Sequence, residues 1–241
     1  EISLGLVGSE MCIRDSSKRP TKVFQETFFY LLEQVRNKLP KCDASEMVRL
    51  IDSSTIDLNL NQFEWADFRS TKAGIKLHTV YDPKAEVPIY FAMTNAKVND
   101  RKAFHQLPMM AGMTYVVDRA YNDYDWYYRL TQQGTHFVGR MKSNAVYEVI
   151  ENKETNAEHI LKDQVIRLTS VKAKKDCPIN LRRITIVREE DDKVLSFITN
   201  DLDRTAQQIA DLYKARWQIL AAVDGYRESE ASWLEVIEQL E

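Results

Sequence analysis

Two aspartates each follow a largely apolar run, and both are candidates for metal-assisted chemistry. Asp52 comes directly after residues 48–51, and Asp118 comes directly after residues 115–117. If these runs are neighbouring strands, both carboxylates lie at one edge of a sheet, within reach of the same divalent ion. Hard oxygen ligands favour Mg²⁺ or Mn²⁺. Two such ions about 3.5–4 Å apart can activate an attacking oxygen and stabilise a leaving one in phosphoryl transfer.

Each aspartate also has an ordinary structural explanation. The sequence Asp52-Ser53-Ser54 is typical of an Asx turn, and Asp118 has the residue type and position of a helix N-cap. Neither residue alone therefore indicates a site. Their combination with the helix predicted at 204–219 favours chemistry over these alternatives.

The elements in the first half of the chain are predicted from hydrophobic periodicity. Apolar residues at helical spacing predict a helix over 21–39. The run 47–58 predicts a strand that is interrupted at Asp52, Ser53 and Ser54. Two further strands are predicted at 74–82 and 87–94, so an antiparallel meander opens a mixed sheet.

The second half alternates between helical and strand patterns. Residues 146–199 are rich in β-branched residues separated by turns, which predicts a β-rich insertion. The last helix begins at Thr205, a favourable N-cap. The other predicted elements are a helix over 101–107, a strand at 115–117, a helix within 121–134 and a strand at 136–142.

Three segments together resemble bacterial insertion-sequence transposases of the DDE type. They are LIDSST with Asp52, VVDRAY with Asp118, and LYKARWQI with Tyr213 and Arg216. The similarity runs from about residue 18 to residue 219. The closing segment is similar to the subgroup with a Tyr-x2-Arg-x3-Glu-x6-Lys signature.

The resemblance implies a fold, a site and a cofactor. The fold is mixed α/β, an RNase H-like sheet flanked by helices, with a β-rich insertion at about 140–199 before the last helix. Asp52 and Asp118 are implied to be catalytic ligands of Mg²⁺ or Mn²⁺. Tyr213 and Arg216 are implied to contact DNA phosphates near the cleavage point, and a planar guanidinium suits that role.

The third carboxylate of the signature is absent from its expected position. Counting from Tyr213, the motif glutamate falls at Leu220, and the motif lysine falls at Arg227, which is assigned to DNA binding. Asp224 lies one helical turn beyond position 220 on the same face. Its shorter side chain and the following Gly225 argue against substitution, so this chain is expected to be inactive.

The charge distribution is compatible with a nucleic-acid partner. The net charge is −3, but residues 220–241 carry −5 and residues 1–16 carry −2, which leaves +4 for residues 17–219. Three cysteines without close spacing indicate neither a disulfide framework nor a zinc site. A reducing, cytoplasmic setting and no membrane association are expected.

The predicted domain organisation has a catalytic domain between two foreign ends. Residues 1–17 are interpreted as a non-native extension, because 3–16 resemble translated sequencing-adapter read-through; a genuine N-terminal extension is the alternative. The other predicted units are an N-terminal helical segment at 18–46, a catalytic domain at 47–219 and a divergent, non-native tail at 220–241.

The predicted function is DNA transposition by metal-dependent strand cleavage and transfer. The expected partners are double-stranded DNA, as transposon ends and target, and a second copy of the chain on that DNA. Two alternatives are a catalytically dead, transposase-derived DNA-binding remnant and a metal-dependent RNase H-like nuclease.

Other conspicuous residues receive structural interpretations. Lys214 is interpreted as a solvated charge and Trp217 as a core anchor, while His78 and His105 are expected to be structural. The tyrosine-rich run 121–128 either stacks on bases or packs in the core.

Overall fold

The computed structural model describes most of the chain between residues 21 and 219. Helix α1 belongs to a different compact unit from the sheet, which lies in the unit Cys42–Ile219; the account below concerns the latter. The described residues are 21–36, 47–58, 67–69, 72–105, 107, 109–155, 157–188, 190–217 and 219.

Five α-helices, one short 3₁₀ turn and ten strands are found among these residues. The helices are α1 (Thr21–Arg36), α2 (Asp100–Phe104), α3 (Tyr124–Gln132), α4 (Val171–Asp176) and α5 (Ala206–Ala215), and the 3₁₀ turn is Arg119–Tyr121. The strands are β1 (Val48–Leu58), β2 (Asp67–Arg69), β3 (Lys72–Asp82), β4 (Val87–Asn95), β5 (Thr114–Val117), β6 (His136–Arg140), β7 (Tyr147–Lys153), β8 (Ile160–Leu168), β9 (Asn180–Val187) and β10 (Val194–Thr199).

The described strands form one mixed sheet in the order β2-β3-β1-β5-β6-β10-β9-β8-β7, with β4 also paired to β3. Strands β1, β5 and β6 are parallel, while β3 runs antiparallel to β1 and β4. The order β4-β3-β1-β5-β6, with these directions, is that of an RNase H-like sheet. The predicted mixed α/β fold class is confirmed.

Strands β7 to β10 continue the same sheet where a β-rich insertion was predicted. Each pairs antiparallel with its neighbour, and β10 joins them to β6. The segment is not all strand, because Ser170 caps α4 through a bond from the Ala173 amide at 3.4 Å. The short helix α4 within this segment was not predicted. The domain boundaries stay predictions.

The predicted interruption of β1 at Asp52 was wrong. Strand β5 pairs with β1 only as far as Ile51, which lies opposite Val117. On the other side of β1, pairing with β3 continues from Leu50 to Leu58 without a shift of register. A polar run therefore stays in the strand, because one neighbour still satisfies its backbone groups.

Helices α3 and α5 cover opposite faces of the sheet. On one face the ring of Tyr127 stacks on Phe137 with centroids 3.9 Å apart. On the other face Tyr213 lies against Phe197 with centroids 4.5 Å apart. The strand register accounts for this. Gly139 lies on the same face as Phe137 and pairs with Ile198. Because consecutive side chains alternate between faces, Phe197, which precedes Ile198, lies on the opposite face.

The tyrosine-rich run packs mainly into the α3 side of the core. Tyr121 and Tyr127 are fully buried, and Tyr124 and Tyr128 pack against the same cluster. Of the two interpretations of this run, core packing is the one that the structure supports. In the part of the chain described here, no helix has the length and apolar character needed to cross a membrane.

Candidate active site

Asp52 lies on β1, one residue beyond the last pairing with β5. Ile51 belongs to the core on the α3 side. Because side chains alternate along a strand, Asp52 lies on the face covered by α5. Its Oδ1 accepts a bond from the Ser53 amide at 2.9 Å, which is the next residue, whereas an Asx turn is closed by the amide two residues on.

Asp118 follows β5 directly and begins the 3₁₀ turn. It occupies the N-cap position with extended backbone, but its side chain makes no capping hydrogen bond. Since Ile51 and Val117 are register partners in parallel strands, the two aspartates that follow them come side by side. We call Asp52 and Asp118 the aspartate pair. The structure shows their predicted adjacency, and their catalytic role stays a prediction.

Helix α5 brings the last two predicted residues to this edge. Thr205 and Gln208 form a capping box, in which each side chain bonds to the backbone amide of the other residue, and this defines where the helix begins. Ile209 and Tyr213, four residues apart and therefore on one face, are both buried against the sheet. Arg216 follows at the carboxyl end of the helix, where its side chain is also buried.

Arg216 and Tyr213 contact the aspartate pair directly. The Arg216 guanidinium lies 2.5 Å from Asp52 Oδ2 through Nη1 and 3.8 Å from Asp118 Oδ1 through Nη2. The Tyr213 hydroxyl donates to Asp118 Oδ1 at 3.1 Å. One guanidinium therefore bridges both carboxylates. The implied contact of these two residues with DNA phosphates stays a prediction, and in this structure their partners are the aspartates.

Burial dominates the electrostatics of the aspartate pair. Burial raises the pKa of Asp52, the Arg216 charge partly opposes this, and Asp118 and Asp100 raise it further. Burial also raises the pKa of Tyr213 to about 12, so its phenol is neutral at pH 7 and serves as a donor. The positive charge of Arg216 therefore offsets the negative charge of the aspartate pair.

Two residues near Asp52, Asp100 and Lys76, were not singled out from the sequence. Asp100 Oδ1 accepts from Ser53 Oγ and from Lys76 Nζ, each at 3.1 Å. The His78 ring, fully buried, contacts Thr94 Oγ1 at 2.9 Å through Nε2. The register of β3 against β1, with Ser53 opposite His78, brings Lys76 and His78 close to Asp52.

The aspartate pair supplies some of the ligands that a divalent metal ion needs. Two carboxylates at one sheet edge supply hard oxygen ligands of the kind that Mg²⁺ and Mn²⁺ prefer. Among the described residues, however, no group of three His, Cys, Asp or Glu side chains is arranged to hold a metal. Leu220 and Arg227, where the signature places its glutamate and lysine, lie outside the described residues, as does Asp224.

Two other predicted residues on α5 and its continuation differ in outcome. Lys214 is exposed, as predicted. Trp217 is 45% exposed, so its assignment as a core anchor was wrong. Its ring instead contacts two guanidinium groups, 5.2 Å from Arg216 and 5.8 Å from Arg188. His105 bridges Asp123 and Arg129 on the surface.

Comparison with known proteins identifies the family. Residues 43–219 match the model of the transposase DDE domain, so the chain belongs to the transposase DDE domain family. The predicted resemblance to bacterial insertion-sequence DDE transposases is thereby confirmed, whereas the Tyr-x2-Arg-x3-Glu-x6-Lys subgroup stays a prediction.

Two curated relatives and one solved structure are similar to this chain. The inferred transposase y4zB of Sinorhizobium fredii is 35% identical over 209 residues, which cover 85% of this chain and 58% of that protein. The inferred transposase of insertion sequence element IS5377 from Geobacillus stearothermophilus is 30% identical over 174 residues, 71% of this chain and 45% of that protein. The chain thus spans about half the length of these relatives. The piggyBac transposase synaptic complex with hairpin DNA is 10% identical with a TM-score of 0.44, covering 75% of this chain and 40% of that one, a likeness too low to support a conclusion.

Proposed function

We propose that this chain is the catalytic core of a DNA transposase that cleaves DNA strands and joins them to a target. The observation that carries the proposal is the convergence of Asp52, Asp118, Tyr213 and Arg216 at one sheet edge. This edge lies within the segment that matches the transposase family. The proposed partners are double-stranded DNA, as transposon ends and target, and a second copy of the chain. The proposed setting is the cytoplasm.

In the proposed site Asp52 and Asp118 hold Mg²⁺ or Mn²⁺. Such ions, when bound, activate an attacking oxygen and stabilise the leaving oxygen of a phosphodiester. The neutral Tyr213 phenol orients the Asp118 carboxylate through its hydrogen bond. Because Asp52 is largely buried, it depends on a cationic partner to stay ionised.

Arg216 has two alternative anionic partners in this proposal. In this structure its guanidinium pairs with the carboxylates. A guanidinium fork also binds phosphate in a bidentate manner. For Arg216 to contact a DNA phosphate, it must leave at least one aspartate. In the proposed mechanism, the Arg216 guanidinium offsets the negative charge of the aspartate pair in the DNA-free protein. In the complex with DNA it offsets the charge of the scissile phosphate.

We infer that the unmodified chain is a poor catalyst, because its sequence has Leu220 at the position of the third carboxylate. Phosphoryl transfer depends on positioning and on stabilising developing charge. Removing one such contact commonly costs a factor of about 10² to 10³, and losing a metal ligand should cost at least as much. Arg227 would take the place of the signature lysine in contacting DNA.

The proposal is tested by nicking of plasmid DNA that carries the ends of the parent element, in the presence of Mg²⁺. The repaired protein has residues 220–241 replaced by a family-like continuation that includes Leu220→Glu and Arg227→Lys. We expect the repaired protein to nick and the unmodified chain to be nearly inactive. The matched control, the repaired protein with Asp118→Asn, keeps the side-chain shape but lacks the charge and should also be inactive.

Each outcome has a separate meaning. If the unmodified chain nicks as well as the repaired one, Leu220 is not a lesion and the assignment of the third carboxylate is wrong. If the repaired chain nicks but never joins ends to a target, the nuclease alternative is favoured. If it neither nicks nor binds, the proposed function fails.

A second candidate function is a DNA-binding remnant without catalysis. The Arg216 bridge favours it, because a guanidinium paired with both aspartates is compatible with a chain that no longer binds metal. In that case the repaired protein binds the ends of the element with no dependence on Mg²⁺ and leaves the DNA intact.

A further inference from the structure

A basic cavity of about 180 Å³ opens where β6 ends. Four of its lining residues are cations, Arg119, Arg140, Lys142 and Arg183, and none of the described residues that line it is acidic. We call these four residues the basic pocket. Because one water occupies about 30 Å³ of liquid volume, the cavity has room for a phosphate group and some of its hydration.

The cations of the basic pocket have no anionic partner among the residues that the structure describes. Within the described part of the chain, none of the four forms a salt bridge, whereas other arginines of the sheet do. Arg182 is the clearest comparison, because it precedes Arg183 on β9 and points to the other face. It makes a bidentate pair with the buried Asp163 at 2.7 and 2.6 Å. The positive charge of Arg183, on the pocket side of β9, is therefore available to an anionic ligand.

Arg183 is held in place by neutral groups only. Its Nη1 donates to Gln164 Oε1 at 2.9 Å and its Nη2 to Ser196 Oγ at 3.2 Å. Its guanidinium lies over the Tyr147 ring, 5.1 Å from the centroid, and its Nε has no hydrogen-bond partner in the structure. These contacts orient the group and leave its charge uncompensated.

The loop that follows Asp118 connects the basic pocket to the candidate active site. Arg119 is the next residue after Asp118 and lines the pocket. Asn122, at the end of the same turn, donates to the Arg140 carbonyl at 2.5 Å and accepts from Lys142 Nζ at 3.4 Å. The backbone of Arg140 and the ammonium group of Lys142 are thereby held beside the turn that carries Arg119.

The local potential at the pocket is positive. The pKa of Lys142 is lowered, first by burial and then by the charges of Arg101, Lys172 and Arg119, with Asp123 opposing them. An anion that binds beside these cations would stabilise the charged form of Lys142. Phosphate diesters suit such a pocket, because guanidinium forks bind their oxygens in pairs.

We propose that the basic pocket binds a backbone phosphate of the DNA strand that passes Asp118. The inference rests on the proposed function and deepens it, since it assigns a DNA-contacting surface outside α5. The bound phosphate would flank the phosphate at the aspartate pair and hold the strand in register across the edge of the sheet.

The test is the salt dependence of duplex binding by the full chain, measured by fluorescence anisotropy with a fluorescein-labelled DNA duplex. The variant Arg140→Gln with Lys142→Gln removes two pocket charges. The matched control is Lys162→Gln with Arg167→Gln, which removes two charges from exposed positions on β8. Binding is measured between about 50 and about 200 mM NaCl, over which each phosphate contact contributes about a threefold loss of affinity.

We expect the pocket variant to bind more weakly than the control at low salt and to lose about threefold less affinity across this range. A pocket variant that matches the control in both respects overturns the pocket, and the proposed function then still stands if the unmodified chain binds the duplex. If the unmodified chain does not bind DNA, the pocket proposal fails, while the proposed function is decided by the repaired protein. Should thermal melting show that the double variant is unfolded, Arg119→Gln, at an exposed position, is expected to give the same reduction and decides the question.

Discussion

Replacing Arg216 by methionine should expose how strongly the aspartate pair depends on one guanidinium. Methionine keeps an unbranched, apolar side chain in the same space and removes the charge. The Arg216 and Asp52 side chains are 7% and 13% exposed, so the loss is that of one partner from a buried pair, about 3–5 kcal/mol. The contact with Asp118, 34% exposed at 3.8 Å, adds less than about 1 kcal/mol.

The lower end of this range is expected, because Asp52 can respond by taking up a proton. Its pKa is already raised by burial, and losing Arg216 raises it further. A carboxyl group whose folded-state pKa is raised loses stability as pH rises through that pKa, so the destabilisation should be greatest at neutral pH and shrink as pH falls. About 3 kcal/mol near neutrality lowers Tm by roughly 6–12 °C for a domain of this size.

Thermal unfolding followed by circular dichroism measures this effect. The matched control is Arg188→Met, which also removes a guanidinium near the Trp217 ring. Arg188 pairs with Asp191 in a more exposed position, so its loss should change the stability much less than the loss of Arg216 does. The double variant Arg216→Met with Asp52→Asn should recover most of the stability, because neither member of the pair is then left uncompensated.

A divalent ion provides a second measurement on the same variant. With the guanidinium gone, Mn²⁺ no longer competes with it, and affinity should rise by about tenfold. Saturating Mn²⁺ should therefore raise the Tm of Arg216→Met more than that of the unmodified chain. An Arg216→Met variant that melts like Arg188→Met, together with a double variant no more stable than the single one, would refute the reasoning.

Three further predictions concern the tail and the core. Deleting residues 220–241 removes a charge of −5 and should tighten binding to a DNA duplex in a salt-dependent manner; unchanged affinity on titration would count against this. Burial raises the pKa of the Cys177 thiol to about 11, so with the other cysteines replaced by serine it should react with iodoacetamide at about pH 8 only after denaturation, and rapid native labelling would contradict this. Gly139→Ala places a Cβ 2.3 Å from the Tyr127 hydroxyl and should cost about 1–3 kcal/mol in urea unfolding; adding Tyr127→Phe should recover part of it, and a strictly additive double variant would show that the hydroxyl is not the obstacle.

Much of the strand pattern could be predicted from the sequence, because side chains of a half-buried strand alternate and turns interrupt them. The strands at 74–82 and 87–94 were predicted close to β3 and β4. The prediction failed at Asp52, where three polar residues were interpreted as an interruption of the strand. The failure has a physical reason. A polar run remains a strand if one neighbouring strand continues to pair with it, and which strand lies beside it cannot be deduced from the residues of the run.

The adjacency of Asp52 and Asp118 was also predictable, because two parallel strands bring their carboxyl ends to one edge. Their partners were not. Arg216 lies 164 residues from Asp52 in sequence, and only the packing of α5 on the sheet places its guanidinium on both carboxylates. The same holds for the basic pocket, whose four cations come from a turn, the end of β6 and β9.

The sequence by itself determined the residue types of the site, the order of the elements and the family, since these depend on local pattern and on motifs. The tertiary structure decided which charges are balanced. Arg182 and Arg183 are adjacent and chemically identical, yet one is paired with Asp163 and the other has only neutral partners. The alternation of a strand sends them to opposite faces, and what each face meets is set by the packing of segments that are distant in the chain.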